Sequence, residues 1–347
     1  MKLRGALLGA GNIALRGHAP QWLGALGADA DIVALADLSP ANRDAAKVLF
    51  PAARVYESAA EALQTEALDF CDICTPPFTH LPLIEVAARR GIHVISEKPL
   101  APTLEEALAS ARFIREAGIV FQPCHQYNYA PPWQAVVERV PLLGALHFVE
   151  YSVRRTAANE GNAHWAPEWR TRRDLAGGGI LVDHGAHILY QLRGVLGEPQ
   201  RISATVRTLL HHGYGVEDTA LLTLDHGTAL AEVSLTWAAK RREIAFRFVG
   251  ERGELVGDES RVRVHAGTTE EVAVGGLSGN SSHSEWFAPL FKDFIARVRS
   301  GNAADEPLDE AIYVARIIER AYASSRMGQT LPLLQDGGPA LLKAARL

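Results

Sequence analysis

The chain has 347 residues, enough for about two domains that each bury a core. Its 35 basic and 40 acidic residues leave a net charge of -5, which argues against a nucleic-acid binder. A 48% hydrophobic and 22% charged composition is that of a folded globular protein, with no apolar run of membrane-spanning length and three cysteines too few for a disulfide framework. With no signal peptide legible at the start, the expected location is the cytoplasm.

From residue 3 to 125 one pattern repeats: a short apolar run, a turn, then a stretch of helical period. The apolar runs are 3–9, 31–37, 70–75, 92–97 and 119–124, with a weak one near 54–56. Helical segments fall at 12–27, 40–50, 58–64, 79–90 and 103–117. Strands apolar on both sides and alternating with helices predict a parallel, doubly wound α/β sheet.

Beyond about Pro131 strand runs follow one another with few helices, at 145–155, 201–210, 219–225, 228–238 and 243–250, then near 253–256, 261–265 and 270–274. Ala231, Val233, Leu235 and Trp237 alternate with Glu232, Ser234 and Thr236, as in a sheet with one buried face. One helix is expected at 180–196, opened by Gly177–Gly179 and closed by Gly197, and two more at 283–300 and 308–325. The second domain, 126–347, is therefore α+β, and its last helices could pack back on the domain of 1–125.

The segment GAGNIA, Gly9–Ala14, joins the first strand to the first helix. Gly9 allows a tight turn, Gly11 admits a pyrophosphate to the backbone, and Asn12 and Ile13 begin the helix whose N–H groups face it. Asp37 ends the next strand, where a carboxylate accepts ribose hydroxyls and repels a 2'-phosphate, so NAD is expected over NADP.

TPPFTH, Thr75–His80, and EKP, Glu97–Pro99, stand at carboxyl ends of later strands, which directs Lys98 into the cleft. GGGILVDHGAH carries Asp183 and His187 four residues apart on one helix face. An imidazole takes a hydroxyl proton near neutral pH and an ammonium stabilises a developing alkoxide. Gly185, costly inside a helix, implies a close approach to that face. The preceding stretch 159–175, rich in Trp, Arg and Asn, offers Trp165, Trp169 and Arg170 for sugar hydroxyls or a carboxylate, or equally a surface loop packing its tryptophans.

Cys71 and Cys74 form a CxxC inside a buried strand, and are expected to be structural. Asp183, His184, His187, His211 and His212 lack the spacing of a metal site, so no metal is expected.

Taken in order, GAGNIA, Asp37, TPPFTH, EKP and GGGxxxDxGxH resemble the glucose-fructose oxidoreductase / inositol dehydrogenase / MocA family over nearly the whole chain. His18 falls where that family often carries a histidine. The resemblance implies a Rossmann domain, then an α+β domain with a large open, mostly antiparallel sheet that makes homodimers or homotetramers. It implies NAD(P)-dependent chemistry on a sugar, cyclitol or sugar derivative. Lys98, Asp183 and His187 would be the catalytic set, with His184 beside them on the substrate side. Thr75, Pro76, Pro77, His80, Glu97, Pro99 and Gln126 would contact the cofactor. Tyr190 and Asn128 stand where many members carry an aspartate and an arginine, so substrate identity does not transfer. An NAD-dependent glycoside-cleaving enzyme of the same fold and a non-catalytic nucleotide sensor remain as alternatives.

Overall fold

A computed structural model describes residues 1–158, 168–275 and 282–333. Six parallel strands, β1 (Leu3–Leu8), β2 (Ala30–Ala36), β3 (Arg54–Tyr56), β4 (Phe70–Ile73), β5 (His93–Ser96) and β6 (Phe121–Pro123), form a sheet of order β3-β2-β1-β4-β5-β6. β4 is buried along its whole length, as a strand covered by helices on both faces must be. The strand order reverses between β1 and β4, and the crevice above their carboxyl ends is where such folds bind ligands.

The first helix ends at Leu23, short of the expected residue 27. Pro20 has no N–H to bond the Arg16 carbonyl, and the preceding turn, Ala14–His18, widens to π geometry. Helices Pro40–Leu49, Ala59–Thr65, His80–Arg89 and Leu104–Ala117 fall within two residues of expectation. Ser39, Ser58 and Thr103 each accept the N–H three residues on, which fixes three of those starts.

The second sheet has nine strands in the order β14-β13-β12-β11-β7-β10-β9-β8-β15. These are β7 (Leu146–Arg154), β8 (Arg201–Arg207), β9 (Thr219–Asp225), β10 (Leu230–Thr236), β11 (Glu243–Gly250), β12 (Gly253–Asp258), β13 (Arg261–Ala266), β14 (Thr268–Ala273) and β15 (Leu331–Pro332). All pairings are antiparallel except β7 with β10. Ala231, Val233 and Leu235 of β10 are buried on one face, matching the predicted alternation. Helix Pro131–Arg139 is not among the expected segments; its two leading prolines suit a first helical turn.

The last two helices tie the halves together. Phe287, Leu290, Phe291 and Phe294 of helix Phe287–Ser300 pack with Trp22 and Phe70 of the first domain. Helix Glu306–Met327 places Leu308, Ala311 and Ile312 in the core over the parallel sheet and Tyr313, Ile317 and Ala321 in that of the second sheet. Among the described residues no helix is long and apolar enough to cross a membrane.

Candidate active site

A cleft of about 990 Å³ runs over the carboxyl ends of the parallel strands and is walled by residues of both domains. At one end lie Gly9, Gly11, Asn12, Ile13 and Asp37. Gly9 has φ +88°, and a Cβ there would come within 2.8 Å of the Cys74 and Thr75 backbone, so both turn and packing require glycine. The Asp37 carboxylate accepts the Ala10 N–H at 2.7 Å and the Ser39 N–H at 2.8 Å, which fixes it at the mouth of the cleft. Thr75, Pro76, Pro77, Glu97, Lys98 and Gln126 line the middle. Gln126 Oε1 is buried with no partner, an acceptor waiting for a donor. A glycine turn, a fixed carboxylate and an unsatisfied amide oxygen fit a dinucleotide with a terminal carboxamide.

His80 is the exception among the expected cofactor contacts. It is fully buried and off the cleft wall, its ring nitrogens 3.0 Å from the Pro99 carbonyl and 2.8 Å from that of Thr75. It fastens the TPPFTH turn to the EKP turn, and burial lowers its pKa.

Beneath the EKP turn His18 lies buried between two carboxylates. Nδ1 is 3.0 Å from both oxygens of Asp72, and Nε2 is 3.1 Å from Glu97 Oε1. Burial opposes a charged ring, but Asp72 and Cys74 outweigh it and raise the His18 pKa well above 6.5. His18, Asp72 and Cys74, or His18, Glu97 and Cys124, bring donors of metal-ligating type together. One imidazole serves both sets, and each of its nitrogens already faces a carboxylate at hydrogen-bond distance, which a protonated ring satisfies without an ion. Glu97 Oε2 in turn accepts the Lys98 N–H at 3.1 Å, so the buried ion pair braces the lysine's backbone. Burial raises the Cys71 and Cys74 thiol pKa values, in keeping with structural rather than reactive cysteines.

Opposite stands the turn Leu181–Gly185, of π geometry, which continues as helix Ala186–Leu196. Its start is held by Glu217, whose Oε1 accepts the N–H of Gly179 at 2.9 Å, the N–H of Leu181 at 3.2 Å and the Tyr322 hydroxyl at 2.7 Å. A Cβ at Gly178 would sit 1.8 Å from Tyr322 Oη and one at Gly179 would sit 1.9 Å from the Glu217 carbonyl, which explains the glycine run. Gly185 is different from expectation: a Cβ there would meet Leu181 at 2.9 Å and Leu235 of β10 at 3.0 Å. Its smallness serves packing of the helix on the sheet, not the approach of a ligand.

This seating brings Asp183 to Lys98 across 85 residues of sequence. Lys98 Nζ donates to the Asp183 carbonyl at 2.6 Å and to its Oδ1 at 3.1 Å, and Arg170 Nη1 donates to the same Oδ1 at 2.6 Å. Burial disfavours the carboxylate, but Arg170 and then Lys98 overcome it and hold its pKa well below the usual range. His184, also on the wall, is pushed down to about 3, chiefly by burial, and is neutral.

His187 lies one turn further on, its ring stacked on Tyr127 at 4.0 Å, with Nδ1 2.7 Å from the Tyr190 hydroxyl. Burial, then the charge of Lys98, lowers its pKa well below 6.5. Nε2 has no protein partner among the described residues, and the ring lines the cleft. Trp169 and Arg170 also line it, the guanidinium 4.7 Å over the indole. Trp165 lies outside the described residues. Tyr127, Arg155, Arg242 and His283 also line it and are not among the residues singled out from sequence. Tyr127 belongs to CHQYNYAP, a segment whose position after β6 could have marked it.

Comparison with known proteins gives the family and the fold. Residues 3–125 match the oxidoreductase family with an NAD-binding Rossmann fold, and residues 141–256 match the GFO/IDH/MocA C-terminal domain. The chain is 28% identical to a D-apiose dehydrogenase of Paraburkholderia graminis, over 98% of its own length and 92% of the relative's. It is 26% identical to the NADP(+)-dependent D-xylose 1-dehydrogenase 2 of Haloferax volcanii, over 88% and 92% of the two chains. A solved levoglucosan dehydrogenase in complex with NADH has the same fold, with TM-score 0.84 at 19% identity and coverage of 96% and 100%. The chain belongs to the Gfo/Idh/MocA family of nicotinamide-dependent oxidoreductases.

Proposed function

We propose that the protein is an NAD-dependent dehydrogenase or reductase that moves a hydride between nicotinamide and the carbinol or keto carbon of a sugar-like substrate, assisted by Lys98 and His187. The observation that carries this reading is the ion pair of Lys98 Nζ with Asp183 across the cleft that the His187 ring also lines. The sugar-acting relatives support a polyhydroxylated substrate.

The nicotinamide, when bound, supplies the hydride acceptor or donor. Lys98 has three N–H donors; Asp183 takes two, which aims the third at a substrate oxygen. His187, neutral at neutral pH, takes the hydroxyl proton at Nε2 while its Nδ1–H is donated to Tyr190 Oη. Tyr127 N–H donates to that same oxygen at 3.2 Å and steadies it. Asp183 holds Lys98 and Arg170 in register. Asp37 favours NAD, because a 2'-phosphate would meet a fixed carboxylate.

The test is a fluorescence titration with NADH and NADPH, followed by a panel of sugars and cyclitols with NAD. Tight NADH binding and substrate-dependent NADH formation are expected. Failure to bind either cofactor, with no nucleotide released on denaturation, overturns the reading.

A further inference from the structure

At the reacting end of the cleft the charges of the described residues do not balance. Lys98, Arg155, Arg170 and Arg242 line it there, against the carboxylate of Asp183; Asp37 lies at the far end, and Glu97 is taken by His18. Lys98 and Arg170 share Asp183. Among the described residues that leaves the guanidiniums of Arg155, with Glu259 only at 4.0 Å, and of Arg242.

Their adjacency is built by the sheet. β7 and β11 pair antiparallel with Arg154 opposite Glu243, so Arg155, one residue beyond, stands next to Arg242, one residue before. Arg155 is 4% exposed and its position is fixed, because Nη1 donates to the Arg154 and Glu243 carbonyls at 2.8 and 3.2 Å. Its Nε–H is buried without a partner, and among the described residues its only carboxylate, Glu259, stands off at 4.0 Å. Arg242 has no carboxylate within ion-pair distance among the described residues. Burial, and then the like charge of Arg242, disfavour the charged form of Arg155. A buried, unanswered donor beside a second guanidinium is costly unless an anion arrives to take it.

Resting on the proposed function, we infer that the hydroxylated substrate is an acid, whose carboxylate binds Arg155 and Arg242 while its reacting hydroxyl meets Lys98 and His187. A carboxylate is planar and its two oxygens match guanidinium N–H groups. The anion also removes the repulsion between the two arginines, so it gains more than a neutral hydroxyl at the same place. Bound there, the carboxylate orients the reacting carbon without touching the proton path.

The test uses the protein–NADH complex, with D-gluconate and D-glucuronate each set against D-glucitol, D-glucose and glucose 6-phosphate. Binding is read from bound-NADH fluorescence and turnover from NADH formed with NAD. We expect the acids to bind at least about tenfold more tightly than the neutral compounds, with affinity falling as salt rises. Arg242→Gln should lower the acid-to-neutral ratio of kcat/KM by about tenfold, and Arg242→Lys should recover part of it. If NADH binds but the acids show no preference over neutral sugars, or the ratio survives Arg242→Gln, the inference is overturned while the proposed function stands. A preference for glucose 6-phosphate over both acids also overturns it. Absence of NADH binding would instead remove the proposed function, and this inference with it.

Discussion

The hydroxyl of Tyr190 lies 2.7 Å from Nδ1 of His187, so a phenol rather than a carboxylate partners the ring. A neutral phenol stabilises an imidazolium less than a carboxylate does, and burial raises the Tyr190 pKa well above 10, so the phenol stays protonated. The lowered His187 pKa keeps the base free at pH values where an ordinary histidine is already protonated. The acid limb of kcat/KM against pH should therefore fall below pH 6.5. Tyr190→Asp should move that limb upward, since a carboxylate raises the histidine pKa; Tyr190→Phe, which keeps the stack on His125, should lower kcat without an upward move. A limb that stays put in both variants would separate Tyr190 from the base.

Lys98→Ala should reduce kcat/KM by about 10²- to 10⁴-fold while NADH affinity changes only a few-fold. Two of the lysine's donors go to Asp183, and none to the glycine turn. Stopped-flow hydride transfer and equilibrium NADH titration on the same preparation check the two halves of this expectation.

Asp37→Ala should weaken NADH binding by about tenfold and narrow the gap to NADPH. The carboxylate also organises Ala10, Ser39 and Asn42, so thermal melting of the variant must be followed alongside the two titrations. An unchanged NADH-to-NADPH ratio in a folded variant would assign discrimination to other residues.

The His18 pair makes stability depend on pH in a defined direction. Its folded pKa is raised, so its contribution is complete below about pH 6.5 and is lost as pH rises through the folded value. Melting temperature should drop on the alkaline side. His18→Gln, which leaves the Asp72 and Glu97 carboxylates without a cationic partner, should cost about 3–5 kcal/mol and flatten that alkaline loss. Calorimetry of both proteins across pH reads it.

Gly179→Ala should fail to fold as the native protein does or lose most activity, because its Cβ would collide with the Glu217 carbonyl. Glu217→Gln keeps one acceptor for the N–H groups of Gly179 and Leu181 and should be far milder. Circular dichroism and turnover of the pair distinguish a steric from an electrostatic fault.

The chain order of Gly9, Asp37, Lys98, Asp183 and His187, with the strand and helix periods around them, made the parallel domain, the one-sided second sheet and the polar set of the cleft legible from sequence. Those features rest on short-range rules: a period of two or about 3.6, a cap, a glycine turn. What folding alone decided depends on which distant residues come to face each other. Gly185 answers to Leu235 of a strand fifty residues on, and His80 turns inward because two backbone carbonyls claim its ring. Arg155 and Arg242 are unremarkable in sequence and become neighbours only through the register of β7 with β11. Pairing and desolvation are properties of three-dimensional distance, and these set the charge of the site.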